Sequence, residues 1–124
     1  MAAATGSRLE SALLQSFSGS GVDVLVNCTP VGMKGGLAPI GSPVPLEALQ
    51  TMGPGCVVMD TVYNPIQTPL LKAATETGLR VVDGLSMFVN QAARQFEGWT
   101  GKAAPKMLFD RLAREHLGRE VGGP

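Results

Sequence analysis

The chain contains 124 residues, of which 44% are hydrophobic and 16% are charged, and its ten basic residues balance ten acidic ones. This composition is typical of one globular domain and excludes a largely disordered chain. The zero net charge argues against a nucleic-acid partner, and no apolar run approaches the roughly 20 residues that cross a bilayer.

Residues 1–20 are rich in Ala, Ser and Gly, and two interpretations are open for them. One is an organelle transit peptide. The favoured one is a crossover helix before the first strand, because apolar and small side chains recur at helical spacing. The residues that would share one face of this helix are Leu9, Ala12, Leu13, Ser16 and Phe17.

Three short apolar runs follow, at residues 22–27, 56–60 and 79–82, and each is bounded by Gly or Asp. Helical patterns separate these strand-like runs, so consecutive strands need crossover connections. The alternation predicts an α/β fold with a short parallel sheet flanked by helices. No repeat or internal boundary indicates a second domain.

Two helices are predicted between these strands. Residues 46–51 form a short helix inside a long loop that is rich in Gly and Pro. Before the third strand, Thr68 can cap a helix, Pro69 suits its first turn, and Gly78 suits its left-handed end.

Two more helices are predicted after the third strand, over residues 87–98 and 105–117. Residues 119–124 are expected to form a flexible tail. The chain therefore divides into one domain, residues 1–118, and that tail.

The two cysteines, Cys28 and Cys56, are expected to stay unbridged. If their runs are adjacent parallel strands, Cys28 lies at the carboxyl end of one and Cys56 near the start of the next. Each residue rises roughly 3.3 Å along a strand, so the two Cα atoms lie beyond the roughly 7 Å limit for a disulfide. We expect two buried thiols in a reducing compartment.

Candidate binding residues lie where the predicted strands end, which is where open parallel sheets bind ligands. Asn27 and Thr29 offer a carboxamide and a hydroxyl, and Gly32 would let the backbone approach a flat ring or a phosphate. The alternative is that Asn27 and Thr29 only tie off the strand end through local hydrogen bonds. Tyr63, the only tyrosine, would project its phenol toward the same crevice, or would be a core residue with a wet tip.

Other chemical motifs are weak. Gly19-Ser20-Gly21 precedes a strand and lacks a third glycine, so it does not match the dinucleotide fingerprint. His116, the only histidine, lies in a charged predicted helix, where a solvated role is favoured over catalysis or metal binding. No lysine is assigned as a base.

Five segments carry a family resemblance: DVLVNCTPVGM at 23–33, DTVYNP at 60–65, TPLL at 68–71, DGLSMFVNQ at 83–91 and EGWTG at 97–101. In this order and spacing they resemble the C-terminal part of shikimate dehydrogenases. The resemblance implies a three-layer, Rossmann-like half domain, with residues 1–118 as the C-terminal part of an NADP-binding domain. It also implies NADPH-dependent reduction of 3-dehydroshikimate to shikimate in the complete enzyme.

The resemblance also assigns roles to single residues. Thr61 stands where many relatives carry methionine, so only a backbone role carries over there. The family's catalytic lysine and aspartate and its glycine-rich phosphate loop lie upstream of the matching region, so we expect a fragment without catalytic residues that is inactive alone. The implied cofactor-binding residues are Asn27, Thr29, Gly32, Thr61 and Gly84, and the implied substrate-binding residues are Tyr63 and Gln91.

Several alternatives stay open at this point. A quinate/shikimate dehydrogenase would carry the same motifs. So would a remnant that binds a partner without catalysis. The sequence does not distinguish NADP from NAD as the cofactor. The expected ligand is shikimate or 3-dehydroshikimate, in the cytoplasm or, for a photosynthetic eukaryote, the plastid. An unpaired edge at residues 22–27 predicts a homo-oligomer or pairing with a missing N-terminal part.

Overall fold

The structure is a computed structural model that describes residue 6 and residues 8–121. Its strands are β1 (Val24–Asn27), β2 (Val57–Asp60) and β3 (Arg80–Val82). Its α-helices are α1 (Pro69–Glu76), α2 (Gly84–Thr100) and α3 (Lys106–Val121). Short 3₁₀ helices lie at Leu14–Ser16 and Leu46–Thr51. Within the described part of the chain, no helix is both long enough and apolar enough to span a membrane.

The strands form one parallel sheet in the order β1-β2-β3, which confirms the predicted architecture. Each strand begins slightly later than its apolar run, and the first residues of these runs, Val22, Cys56 and Leu79, pack against or within the core. Asn27 pairs with Asp60 in the β1–β2 register. The carboxyl ends of these two strands therefore meet at one edge of the sheet.

One face of the sheet packs against α1. The predicted punctuation of this helix is confirmed: Thr68 Oγ1 accepts the N–H of Leu71 at 3.3 Å, and Gly78 follows the helix with a φ of +84°. The Leu46–Thr51 helix adds the fully buried Leu49 to the same core. The buried residues of this core are Val44, Leu49, Met52, Cys56, Val58, Leu70, Leu71, Ala74 and Leu79.

Helices α2 and α3 pack on each other around a second cluster of buried residues, Leu85, Val89 and Leu117. Asp83 Oδ1 accepts the N–H of Ser86 at 2.7 Å, and this cap starts α2 at Gly84 rather than at the predicted residue 87. Helix α3 continues to Val121, past its predicted end at 117. Residues 119–121 of the expected tail are thus helical, and residues 122–124 lie outside the described chain.

The predicted crossover helix before β1 is wrong. Its stripe forms only the 3₁₀ turn Leu14–Ser16, and Leu9 and Leu13 are 68% and 74% exposed. Phe17 alone of the large apolar side chains in the stripe packs against the α1 core. A short amphipathic helix is stable only against an apolar partner surface, and the stripe meets none in the described residues.

Candidate functional site

A crevice of about 490 Å³ opens at the carboxyl ends of β1 and β2. Two loops form its walls: one follows β1 and the other follows β2. The first wall contributes Cys28, Thr29, Pro30, Met33 and Lys34, and the second contributes Thr61, Val62, Tyr63 and Asn64.

Backbone and hydroxyl bonds hold the two walls together. Thr61 donates both its N–H and its Oγ1–H to the carbonyl oxygen of Asn27, at 3.0 and 2.8 Å. Farther from the sheet, the N–H of Lys34 donates to the carbonyl oxygen of Asn64 at 2.8 Å. The crevice is therefore bounded by loops that are cross-linked at both ends.

Behind the crevice lies a buried polar network centred on Asp60, which is fully buried. Asp60 Oδ1 accepts from Asn27 Nδ2 at 2.9 Å and from the Val62 N–H at 3.0 Å. Its Oδ2 accepts from Thr68 Oγ1 at 2.7 Å. The network joins the ends of β1 and β2 to the start of α1.

The predicted residues Asn27 and Thr29 belong to this network. Asn27 Oδ1 accepts the Thr29 N–H at 2.9 Å and the Thr29 hydroxyl at 2.7 Å, while Asn27 Nδ2 also donates to the Val31 carbonyl at 3.2 Å. The Asn27 amide is thus buried and engaged within the protein, as in the strand-tying alternative. Thr29 lines the crevice.

The two predicted glycines are buried behind the crevice and do not line it. Gly32 has a φ of +92°, which disfavours any side chain, and its Cα faces Thr68 and Pro69. A Cβ on Gly84 would lie 2.5 Å from the Val62 carbonyl oxygen and 2.7 Å from that of Thr61. Gly84 thus lets the start of α2 sit directly on the second wall.

The two predicted substrate residues are placed differently. Tyr63 is 41% exposed and lines the crevice, and its ring contacts that of Phe88 with centroids 4.9 Å apart. Gln91 is exposed and lies three residues after Phe88 on α2, hence on the same side of that helix. The structure therefore brings Thr29, Thr61 and Tyr63 together in the crevice lining, with Gln91 outside it.

Three contributors were missed by sequence reasoning. Asp60 had a usable signal, because a carboxylate at the end of an apolar strand needs buried donors. Lys34 and Phe88 had none, since their places depend on how the loops and α2 meet. The expectation that Cys28 is buried is wrong: it is an exposed free thiol in the first wall, whereas Cys56 is buried.

An ion-pair cluster fixes α3 beside the end of β3. Arg114 Nε lies 2.9 Å from Asp110 Oδ2, and Arg114 Nη2 lies 3.6 Å from Asp83 Oδ2. The hydrogen bond with Asp110, followed by the charges of Asp110 and Asp83, raises the pKa of Arg114. The guanidinium therefore stays charged and ties α3 to the cap of α2.

A larger cavity of about 720 Å³ lies between α2 and α3, and its lining includes Ser86, Asn90, Lys106, Asp110 and Arg111. None of the predicted site residues lines it. The smaller crevice at the strand ends is the better candidate site, because loops from two parallel strands converge there.

A parallel sheet with helices, together with a crevice beyond the carboxyl ends of its strands, defines the class: a Rossmann-like α/β domain. Comparisons with known proteins place the chain within that class. The family described as "Shikimate 5'-dehydrogenase C-terminal domain" matches residues 84–106. The shikimate dehydrogenase (NADP(+)) of Archaeoglobus fulgidus is 50% identical over 80 residues, which cover 64% of this chain and 28% of that protein.

Solved structures agree with the sequence comparison. The Thermus thermophilus shikimate 5-dehydrogenase in complex with NADP(H) and shikimate is 34% identical, with a TM-score of 0.65, over 75% of this chain and 33% of that one. The Corynebacterium glutamicum quinate dehydrogenase in complex with NAD is 33% identical, with a TM-score of 0.64, over 73% and 30%. The chain is similar to shikimate dehydrogenases over most of its own length and spans about a third of the length of these relatives.

Proposed function

We propose that this chain forms the nicotinamide and substrate side of the cleft in an NADP-dependent shikimate dehydrogenase, which reduces 3-dehydroshikimate to shikimate. The observation that carries the proposal is the crevice at the strand ends, whose lining includes Thr29, Thr61 and Tyr63. Its apolar side chains, such as Pro30 and Met33, suit a flat ring, and its hydroxyls suit polar substituents.

The cofactor, when bound, supplies the hydride, and the residues of this chain orient and enclose the reacting groups. Tyr63 would donate its phenol O–H to the substrate, and Gln91 would hydrogen-bond a substrate hydroxyl or carboxylate. The Thr61 hydroxyl is already bonded to Asn27, so its backbone would face the nicotinamide. Asn27, Gly32 and Gly84 would act by shaping the loops and seating α2.

We expect the purified chain to give no measurable oxidation of shikimate or quinate with NADP or NAD. Proton-transfer groups and correct positioning each contribute orders of magnitude to rate, and this chain matches only about a third of its relatives' length. The measurement is NAD(P)H absorbance under saturating substrate. Turnover that a Tyr63→Phe or Gln91→Ala change abolishes would contradict the expectation that the chain alone is inactive, although it would support the roles of these two residues.

A chimera tests the site residues in a complete enzyme. The segment of the Archaeoglobus fulgidus relative that matches this chain is replaced by the corresponding residues of this chain, and Tyr63→Phe and Gln91→Ala are made in the chimera. Losing one hydrogen bond costs about 0.5–1.5 kcal/mol, so we expect KM for shikimate to rise up to about tenfold while the Kd of NADP stays nearly constant.

Gln95→Ala is the matched control for Gln91→Ala, because Gln95 is exposed on the same helix, one turn farther from the end of α2 that packs on the second wall. It should leave both constants unchanged. A rise in the Kd of NADP with a constant KM for shikimate would show that Tyr63 and Gln91 are wrongly assigned.

Quinate is the second candidate substrate. The quinate dehydrogenase of Corynebacterium glutamicum is as similar to this chain as the shikimate dehydrogenase of Thermus thermophilus, at 33% and 34% identity. The ratio of kcat/KM for shikimate and quinate in the chimera measures how far this segment sets the choice. The free thiols Cys28 and Cys56 support our proposal of a reducing compartment, the cytoplasm or a plastid.

A further inference from the structure

Asp60 is a charged residue that the proposed function does not use, yet no solvent reaches it. Both of its carboxylate oxygens accept hydrogen bonds, from the Asn27 amide, the Val62 N–H and the Thr68 hydroxyl. Burying a carboxylate is costly unless its partners compensate, whereas an apolar residue would fill the same space without that cost. The residue therefore calls for an explanation beyond packing.

The three donors come from the three parts that meet at the crevice. Val62 belongs to the second wall and immediately precedes Tyr63. Asn27 ends β1 and in turn holds Thr29 of the first wall through two hydrogen bonds. Thr68 caps α1, which is anchored in the main core through Leu70 and Leu71.

We propose that Asp60 is a positioning residue, whose carboxylate fixes both walls of the crevice to the rigid start of α1. Thr29 and Tyr63 then keep their spacing before any ligand arrives, which lowers the ordering cost of binding. This positioning role rests on the proposed function, because it matters only if the crevice binds a ligand. The positions of Thr29 and Tyr63 can nevertheless be tested on this chain without a ligand.

The test compares Asp60→Ala with Asp60→Asn by NMR. Two signals report the walls: the Thr29 amide, which Asp60 reaches only through Asn27, and the ring of Tyr63, which is the only tyrosine. In Asp60→Ala we expect both signals to move and the hydrogen-exchange protection of the Thr29 amide to fall at least about tenfold, the loss of one hydrogen bond. Asp60→Asn should restore both, since its carboxamide oxygen can accept from Asn27 and Val62 and its Nδ2 can donate to Thr68 Oγ1.

Val58→Ala is the control for stability alone. Val58 is fully buried two residues earlier on β2 and has no side-chain group that can join the hydrogen bonds of the network, so its truncation lowers the protection of all slow amides together. A folded Asp60→Ala protein that behaves like Val58→Ala, with unmoved Thr29 and Tyr63 signals, overturns the proposal.

A second pair of variants decides the question if Asp60→Ala does not fold. Thr68→Val removes the donor to Asp60 Oδ2 and the cap of the Leu71 N–H with little change of shape, so the carboxylate loses its anchor to α1. Thr75→Val removes a hydroxyl bond to the Leu71 carbonyl on the same helix, away from Asp60. Movement of the Thr29 and Tyr63 signals in Thr68→Val but not in Thr75→Val supports positioning, and equal behaviour of the two variants refutes it.

Titration of the unmodified chain with NADP separates this inference from the proposed function. Signals of Thr29 and Tyr63 that respond to NADP, and respond less in Asp60→Ala, support both. If neither the unmodified chain nor the chimera responds to NADP, the proposed function loses support, while the ligand-free signals still decide whether Asp60 positions the walls.

Discussion

The two faces of the sheet are built very differently. On the face that packs against α1, Leu25 packs against the core and Val58 is fully buried. On the opposite face, Val24 and Val26 of β1 are 58% and 43% exposed. Alternate side chains of the same strands thus point into a buried core and onto an apolar surface that the described chain leaves uncovered.

The contrast extends to the helices. Helix α1 buries Leu70, Leu71 and Ala74, whereas α2 and α3 enclose a smaller cluster and leave Trp99 and Met107 81% and 89% exposed. Contiguous exposed apolar residues mark surfaces that meet other chains or domains. We therefore expect the α1 side to carry most of the stability of this chain, and the opposite side to meet another chain or domain.

The largest expected effect is a difference in unfolding free energy between two leucine truncations, one on the α1 side and one on the opposite side. Leu70→Ala in α1 removes a buried side chain and should cost about 2–5 kcal/mol of unfolding free energy. Leu112→Ala in α3 removes a side chain that is 51% exposed and should cost less than about 1 kcal/mol. Urea unfolding measures both. Equal costs would show that α3 is as firmly buried as α1.

The next largest effect is expected where the start of α2 packs against the loop after β2. Gly84→Ala would place a Cβ within 2.8 Å of three carbonyl oxygens, those of residues 60–62, so overpacking should cost about 1–3 kcal/mol. Gly98→Ala is the matched control, because a Cβ there meets nothing within 4 Å. In an exposed helix interior that change should stabilise the protein by about 0.4–1 kcal/mol. A neutral Gly84→Ala would mean that α2 can shift away from the loop.

Most of the α1 side of the sheet could be predicted from the sequence. The strand runs, the Thr68 cap and the Gly78 end are local signals, and each is confirmed by the structure. The helix expected before β1 fails because its periodicity is real but its partner surface is absent from the described residues. Local patterns report what a segment prefers, and packing decides whether it forms.

The candidate site was predictable only in part. Placing Asn27, Thr29, Thr61 and Tyr63 at the strand ends follows from the parallel sheet. The internal hydrogen bonds of the Asn27 amide could not be predicted from the sequence. They depend on the strand register, which sets Asn27 beside Asp60. The roles of the predicted site residues remain predictions.

The uncovered face leads to a third prediction, that the chain self-associates through β1. An edge strand with exposed apolar side chains readily pairs with a second copy, most simply as a two-fold dimer. Val24→Lys should raise the dissociation constant of the dimer at least about tenfold, because it places a charge in the apolar contact. Light scattering and sedimentation at micromolar concentrations measure this.

Two controls accompany that prediction. Leu37→Lys introduces the same charge at a fully exposed position in the loop after β1 and should leave the dimer intact. Leu25→Lys would place the charge against the α1 core and should unfold the protein. A wild-type chain that stays a compact monomer at high concentration would show that the exposed face is tolerated without a partner.

The smallest effect is expected at the ion pairs that tie α3 to α2. Arg114 is 42% exposed, so solvent screens its pairs with Asp110 and Asp83, and Arg114→Gln should cost only about 0.2–1 kcal/mol. Its pKa is raised, so this contribution is complete at neutral pH and is lost only as the pH rises through the pKa in the folded protein, above the usual value for arginine. Salt rather than pH should therefore reveal it, with a smaller difference between wild type and Arg114→Gln at high ionic strength.

Arg111→Gln is the control, because the Arg111–Glu115 pair is longer, at 3.9 Å, and more exposed. If the two variants lose the same small amount, the Asp83–Arg114 contact does not hold α3 in place, and the buried cluster around Leu85 must do so alone.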